Sequence, residues 1–359
     1  MPFPLNAAQR EAVRYVDGPL LVLAGAGSGK TRVIAAKIGL LIERGFDPAG
    51  IVAITFTNRA AREMRERAGE LLAKDGKRGS ADEVSISTFH ALGLRIIRGD
   101  ARALGLKPGF SILDPGDIEP IVAELIGSTE GARVRSTQQR ISALKNALTA
   151  PVAAVKAAKT DDEAFAAQAY ARYDDALRAY HAVDFDDLIA LPIRLLTESE
   201  TARAKWRERC AHVLVDEYQD TNPAQYRLFK LLVGERGAFT VVGDDDQSIY
   251  GWRGASVANL GELPTDYPSL KVVKLEQNYR STVRILRSAN ALIANNPKLF
   301  DKSLWSERGH GDAIDVTPAA DEEAEADSVV RRLLAHRFER RGRYSDYTIL
   351  YRGDRKSVV

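Results

Sequence analysis

Ala24-Gly25-Ala26-Gly27-Ser28-Gly29-Lys30-Thr31 lies between an apolar run, Leu20 to Leu23, and a helical-looking run from Arg32 to Ile42. Strand, glycine-rich turn and helix in that order is the context of a phosphate-binding loop. Glycines let successive backbone N–H groups converge on an anion where a Cβ would obstruct it. The helix start adds unpaired N–H groups and the positive end of its dipole. Lys30 is then placed to reach β- and γ-phosphates, and the Thr31 hydroxyl to ligate Mg²⁺. The first position is Ala24 rather than Gly, so the match is to the looser form of the pattern. The alternative, a glycine-rich turn that binds nothing, is the weaker reading given the flanking strand and helix.

The same rhythm runs outward from the loop. Ile51 to Phe56 reads as a strand, Asn58 to Leu72 as a helix with Ala61, Met64, Ala68 and Leu71 on one face, and Val84 to Thr88 as another strand. This is the βαβ pattern of a parallel sheet covered by helices. It stops near Leu92. From there to Trp206 the chain is rich in Ala, Leu, Arg and Glu, and Asp161 to Ala182 and Phe185 to Leu196 read as helices. Its boundary loops are expected at Lys107-Pro108-Gly109 and Asp114-Pro115-Gly116. Strands return at His212 to Val215, Phe239 to Val242 and Leu270 to Leu275, with helices at Pro223 to Val233 and Thr282 to Asn295. The first and third blocks are therefore expected to share one sheet. Past Asn296-Pro297 a new unit opens: a strand over Ala313 to Thr317, a helix over Glu322 to Arg341 and a strand over Tyr347 to Tyr351. Its arginines from Arg331 to Arg343 read as a solvated helix face.

Val213-Leu214-Val215 leads into Asp216-Glu217-Tyr218-Gln219-Asp220. An apolar strand ending in two acids is the second half of a phosphate-loop NTPase site, with Asp216 for Mg²⁺ and Glu217 to orient and deprotonate the attacking water. Acid pairs alone mean little, as Asp161-Asp162, Asp174-Asp175 and Asp186-Asp187 show. A third strand end carries Gly243-Asp244-Asp245-Asp246-Gln247-Ser248-Ile249-Tyr250-Gly251-Trp252-Arg253-Gly254. Gln247 suits γ-phosphate sensing, and Tyr250 and Trp252 suit stacking on unpaired bases. Taken alone, such an aromatic pair reads rather as core anchors.

Bulk properties narrow the class. With 359 residues there is room for two or three domains, and 45% apolar with 28% charged residues is an ordinary globular composition. One cysteine, Cys210, allows no internal disulfide. The first residues, Met1 to Leu5, do not read as a signal peptide, and no 18-residue apolar run is present to span a membrane. The net charge of +2 carries no argument for a nucleic-acid partner, which needs a local groove instead.

These motifs, in this order, resemble the superfamily 1 DNA helicases of the UvrD/Rep/PcrA group. Leu5-Asn6-Ala7-Ala8-Gln9 resembles the adenine-reading glutamine motif, and residues 24–31 with Arg32 the phosphate loop. Thr55 to Met64 and Thr88-Phe89-His90 resemble two strand-binding motifs, Asp216 to Asp220 the metal-binding acids, and Gly243 to Gly254 the coupling motif. Leu275 to Ser281 resembles the motif whose Tyr, here Tyr279, stacks on adenine and whose Arg, here Arg280, touches the γ-phosphate. The resemblance implies an α/β fold of RecA-like motor domains: the first over 1–92 and 207–281, a mostly helical insertion over 93–206, and the start of a second over 282–359. It implies ATP and Mg²⁺ as cofactors, Lys30, Asp216, Glu217, Gln247 and Arg280 as the catalytic group, and Gln9 as an adenine contact. It further implies single-stranded DNA along Phe56, Asn58, His90, Phe185, Tyr250, Trp252 and Arg253, with forks and duplex ahead of the strand. Movement would be 3′-to-5′, by a cytoplasmic monomer or weak dimer working with replication or repair proteins and no membrane.

The chain also departs from the pattern. No Gln-Gly-x-Glu-Phe segment and no closing Arg motif of a second motor domain occur before Val359. If 359 residues are the whole molecule, weak ATP binding and little unwinding are expected, and strands at 313–317 and 347–351 would lack sheet neighbours. Two other readings stand beside the helicase: a truncated, ATPase-deficient single-stranded DNA-binding module, and a phosphate-loop NTPase acting on proteins or small molecules.

Overall fold

The computed structural model describes residues 5–73 and 78–351. The chain divides into two compact units, 1–310 and 311–359. In the first unit the strands are β1 (Leu20–Ala24), β2 (Ile51–Thr55), β3 (Ser85–Thr88), β4 (Ser111–Ile112), β5 (Ala182–Val183), β6 (His212–Val215), β7 (Phe239–Gly243) and β8 (Lys271–Leu275). Six of them form one parallel sheet in the order β3-β2-β6-β7-β1-β8, so the first and third sequence blocks do interleave. β6 pairs with β2 at Ile51↔His212 and with β7 at Val213↔Phe239.

Every residue of β1, β2, β6 and β7 is buried, because helices cover both faces of the sheet. The pleat divides each strand between two cores. Leu21, Leu23, Val52, Ile54, Val213 and Val241 face one. Leu20, Val22, Ala24, Ala53, Leu214 and Val242 face the other. The second core is closed by α1 (Ala7–Arg14), α2 (Lys30–Glu43), α3 (Asn58–Ala73) and α4 (Arg78–Glu83). The first is closed by α5 (Phe89–Gly99) and by helices from further along the chain, through Ile96, Ile193, Leu196, Trp206, Phe229 and Leu260.

The helical block comprises α6 (Pro115–Ile126), α7 (Gly131–Asn146), α8 (Pro151–Ala157), α9 (Asp161–Ala179), α10 (Asp187–Glu198) and α11 (Glu200–Arg209). α6 to α9 have a core of their own around Val122, Val134, Ile141, Tyr170 and Tyr173. A two-residue parallel ladder, β4 with β5, lies at its base. Asp114-Pro115-Gly116 is not the expected boundary loop. Asp114 caps α6 by accepting from the Gly116 and Asp117 N–H groups, and Pro115 occupies the first turn. Asp then Pro is a helix start as well as a turn signal, and here the helix wins. α10 crosses α5 so closely that a Cβ on Gly93 would stand 1.7 Å from the Leu188 carbonyl oxygen. The unit is completed by α12 (Pro223–Val233), α13 (Ala258–Asp266) and α14 (Val283–Ile293).

In the second unit, α15 (Glu322–Arg340) is capped by Asp321 and carries Glu322, Glu323 and Glu325 in its first turn, against Arg337 and Arg340 in its last. Neither Ala313 to Thr317 nor Tyr347 to Tyr351 is a strand. Among the described residues neither finds a ladder partner, and an extended segment without one is not a strand. Side chains tie them to the helix instead: Arg332 to Asp315 and Thr317, and His336 Nδ1 to the Tyr347 hydroxyl at 2.9 Å. No helix among the described residues is long and apolar enough to cross a membrane.

Candidate functional site

A parallel sheet delivers the C-terminal ends of all its strands to one edge. Here that edge gathers the phosphate loop after β1, Phe56 and Asn58 after β2, His90 after β3, Asp216 and Glu217 after β6, Asp244 to Gln247 after β7 and Tyr279 and Arg280 after β8.

The loop at 24–31 is held by its carbonyls. Gly25 O accepts from the Ser28 N–H and hydroxyl, Ala26 O from Asn278 Nδ2, Gly27 O from the Tyr279 N–H and Ser28 O from Gln9 Nε2. With the carbonyls taken, the N–H groups of Gly27 and Gly29 donate to no described residue. Gly27 and Gly29 sit at φ +69° and +90°, and a Cβ on either would meet Asn278, Arg280 or Gln9 within 3 Å. Only glycine meets both demands. Gly29 ends the loop as the residue before α2, so the helix N-terminus opens onto the same concavity. Arg32 follows with Nε and Nη2 buried and lacking any acceptor among the described residues. Two orphaned guanidinium nitrogens beside a glycine cradle fit an anionic ligand.

Lys30 Nζ lies 2.5 Å from Glu217 Oε2 and 3.2 Å from Gln247 Oε1, so ends of β1, β6 and β7 meet on one ammonium group. Glu217 takes the left-handed conformation, φ 49° and ψ 46°, a strained state for a non-glycine residue that turns its carboxylate toward Lys30. Burial, with the charge of Glu217 beside it, pushes the Asp216 carboxyl up to about 6, against the pull of Lys30, the Glu217 N–H and the Thr31 side chain. A buried carboxylate lifted in this way has too little positive charge nearby, even with Lys30, to offset its burial and the charge of Glu217. Asp216 and Thr31 therefore fit a hard divalent cation, whose ligands are oxygens.

Arg280 stands against the loop, its Cβ facing Gly27. Its N–H and that of Ser281 both donate to Asn278 Oδ1, at 2.8 and 2.7 Å. Lys30, Glu217 and Gln247 bond to one another rather than to Arg280. Asn6 Nδ2 donates to the Tyr279 hydroxyl at 2.9 Å, and Asn6 and Gln9 cap each other at the start of α1. Tyr279 and Gln9 are thereby fixed on one side of the loop.

The aromatic residues form a second, adjoining site. Phe56 and Tyr250 stack at 5.2 Å between centroids and 21° between planes. His90 meets Phe185 edge-on at 6.0 Å, and burial lowers its pKa. Phe56, His90 and Tyr250 line a cavity of about 320 Å³ whose polar wall is Asn146, Asp186 and Asp220. Trp252 lies outside it, 74% exposed and tilted against Tyr250 at 6.5 Å, which excludes the core-anchor reading for that residue. Asn58 is exposed at the start of α3. The side chain of Arg253 lies outside the described residues.

The segment bearing Phe185 is held by a buried ion cluster. Lys145 Nζ on α7 reaches Asp184 Oδ2 at 2.6 Å and Asp187 Oδ1 at 2.8 Å, and the Tyr173 hydroxyl donates to Asp184. Sequence reading passed over Lys145, and also Gln219 and Asn278, which sit inside quoted motifs without an assigned role. Gln219 Nε2 donates to Glu217, while its Oε1 accepts from the Asp244 N–H. The lone polar residues in motifs already marked were the available signal; for Lys145, a lysine on a helix, there was none.

Comparison with known proteins agrees with this geometry. Residues 5–268 match the model of the UvrD/REP helicase N-terminal domain, and residues 273–359 that of the UvrD-like helicase C-terminal domain. The chain is 51% identical over 359 residues to the ATP-dependent DNA helicase Rep of Escherichia coli, covering 99% of this chain and 53% of that protein. The Rep protein of Salmonella typhimurium gives the same identity and coverage. The ATP-dependent DNA helicase PcrA of Staphylococcus aureus is 41% identical over 362 residues, covering 99% of this chain and 48% of PcrA. The chain thus spans about half the length of the curated relatives it matches. With a family model matched over most of its length, on top of a parallel sheet whose six strand ends share one edge with a phosphate loop, the chain belongs to the UvrD/Rep helicase family.

Proposed function

We propose that this chain binds ATP at the phosphate loop and couples its hydrolysis to 3′-to-5′ movement along single-stranded DNA, the strand lying across the aromatic cavity. The observation that carries the reading is the meeting of Lys30, Glu217 and Gln247 at hydrogen-bond distance from three different strands. Residues 1–92 and 207–281 act as the first motor domain, 93–206 as its insertion and 282–359 as the opening of the second. Duplex or forked DNA is the substrate ahead of the strand. The protein works in the cytoplasm as a monomer or weak dimer, beside replication or repair proteins.

On this reading each side chain has a task. The N–H groups of Gly27 and Gly29, with Lys30, bind the β- and γ-phosphates. Gln9 and Tyr279 hold the adenine, and Arg32 fills its orphaned donors on the nucleotide. Glu217 orients the attacking water and accepts its proton. Arg280 neutralises charge on the transferring phosphoryl group. Thr31 and Asp216 would hold Mg²⁺, which supplies charge neutralisation between the phosphates. Gln247 touches Lys30 and lies three residues before Tyr250, so phosphate occupancy and the base stack share one short segment.

Linkage tests the reading without requiring turnover. Oligo-dT should change ATP affinity, and ATP should change oligo-dT affinity by the same factor. Lys30→Ala should remove nucleotide binding and leave oligo-dT binding in place. Nucleotide affinity indifferent to DNA would overturn the reading in favour of another phosphate-loop NTPase. Salt-dependent oligonucleotide binding with no nucleotide binding would favour the DNA-binding module.

A further inference from the structure

Asp244, Asp245 and Asp246 bring carboxylate oxygens within 4.8 Å of one another, a spacing that could hold a metal ion. An ammonium group stands there instead. Lys302 Nζ lies 2.7 Å from Asp244 Oδ1 and 2.9 Å from Asp246 Oδ2, and also bonds Asp245. Its side chain is only 5% exposed. Burial opposes its charge, but hydrogen bonds to the three aspartates outweigh burial and hold its pKa above the ordinary lysine value.

The segment around Lys302 is itself anchored to the nucleotide side of the sheet. The Leu299 N–H donates to Asp245 Oδ2, and the Ser303 N–H to Glu276 Oε1. The Trp305 backbone pairs with Glu276 and Asn278, directly before Tyr279 and Arg280. The Leu304 side chain fills the space beside Gly25 of the phosphate loop. Lys302 is therefore not a surface lysine resting on acids by chance.

The two carboxylate oxygens of Asp244 have three partners. Oδ1 meets Lys302 and also accepts from the Asp246 N–H at 3.2 Å, while Oδ2 accepts from Gln247 Nε2. That bond fixes which way the Gln247 amide points: its nitrogen is committed to Asp244, so its oxygen faces Lys30. The Gln219 side chain ties the Asp244 backbone to Glu217 as well. We propose that Lys302 is a positioning residue for the phosphate site, holding Asp244 so that Gln247 presents its carbonyl oxygen to Lys30 and the γ-phosphate. The proposal rests on the nucleotide reading above. It adds that the ability to tell a triphosphate from a diphosphate depends on a lysine that makes no contact with Lys30 or with the loop backbone.

The test compares fluorescent ADP with a fluorescent non-hydrolysable ATP analogue, measured by anisotropy on this chain with Mg²⁺. Lys302→Met should leave ADP affinity within about twofold of the unmodified chain and lower the triphosphate-over-diphosphate preference at least fivefold. Lys302→Arg should restore most of that preference. Lys302→Gln, which keeps two N–H donors for the aspartates, serves if the methionine variant does not melt cooperatively, and should also lose preference. Either neutral variant, folded and with the preference intact, overturns the proposal. If the unmodified chain binds neither nucleotide, the nucleotide reading fails and takes the proposal with it. The two failures are thus told apart by the unmodified chain.

Discussion

Replacing Lys145 with methionine should open the helical block locally, and by a predictable amount. The Lys145 side chain is 2% exposed, and its partners Asp184 and Asp187 are 5% and 12% exposed. Methionine matches the volume but removes the ammonium, leaving two carboxylates in a pocket screened from water. Breaking a buried ion pair from one side costs about 3–5 kcal/mol, against a typical domain stability of about 5–15 kcal/mol. The Tyr173 hydroxyl and the reciprocal bonds between the Asp184 and Asp187 backbones and side chains remain, so the loss should stay within the block. Hydrogen exchange of amides in α7 and α9 reads it directly. At about 1.4 kcal/mol per power of ten, exchange should quicken by about two to four powers of ten.

The pH dependence of that loss has a definite sign. Burial already raises Asp187 to about 6 with Lys145 present, above its ordinary 3.8. A carboxyl whose folded pKa is raised binds its proton more tightly in the native state, so its contribution to stability falls as pH rises between those values. Without Lys145, which pulls it down, Asp187 holds its proton tighter still. The gap between variant and parent should therefore be widest near pH 7.5 and narrow by pH 5.5. A variant that exchanges like the parent at pH 7.5, or a gap that widens on acidification, would refute the account of Lys145 as the cluster's compensating charge.

Two further substitutions probe packing and the aromatic surface. Gly93→Ala forces apart the backbones of α5 and α10, since the new methyl would start 1.7 Å from Leu188 O; overpacking of this kind costs about 1–3 kcal/mol or more, whereas Gly69→Ala on α3, with nothing within 4 Å, should gain roughly 0.5–1 kcal/mol. Thermal unfolding followed by circular dichroism should place the two on opposite sides of the parent. Trp252→Ala, at a 74% exposed position, should leave stability within about 0.5 kcal/mol and weaken oligo-dT binding by about 1–3 kcal/mol if its ring stacks on a base. Equal oligo-dT affinity for parent and variant would remove Trp252 from the strand path.

Much of this was legible in the chain because the motifs sit where periodicity changes. An apolar run that stops at Gly25, Asp216 or Asp244 marks a buried strand emerging into a loop, and a parallel sheet must bring such ends together. Asp114-Pro115 was misread because one dipeptide serves both turns and helix starts, and only the capping of the Gly116 and Asp117 N–H groups distinguishes them. The strands expected at 313–317 and 347–351 failed for a different reason. β-rich composition specifies a willingness to pair, and pairing needs a partner edge. Lys302 was invisible because its meaning depends on residues 244–246, more than fifty positions away, and a single lysine carries no periodicity.

Those long separations also bear on how the site works. The Lys30 ammonium is shared between Glu217 and Gln247, and Gln247 is shared between Lys30 and Asp244. On the proposed reading, a phosphate arriving at Lys30 would compete directly with both partners. Any relaxation of Gln247 then acts on Asp244 and Lys302 in one direction and, through the two intervening residues Ser248 and Ile249, on Tyr250 in the other. Tyr250 is stacked on Phe56, so space for a base requires that pair to part. On the proposed reading nucleotide and base would draw on the same short segment, whose two ends are set by contacts with different strands. A coupling of this kind needs no long-range pathway: hydrogen bonds join Lys30 to Gln247, two residues of backbone join Gln247 to Tyr250, and ring stacking joins Tyr250 to Phe56.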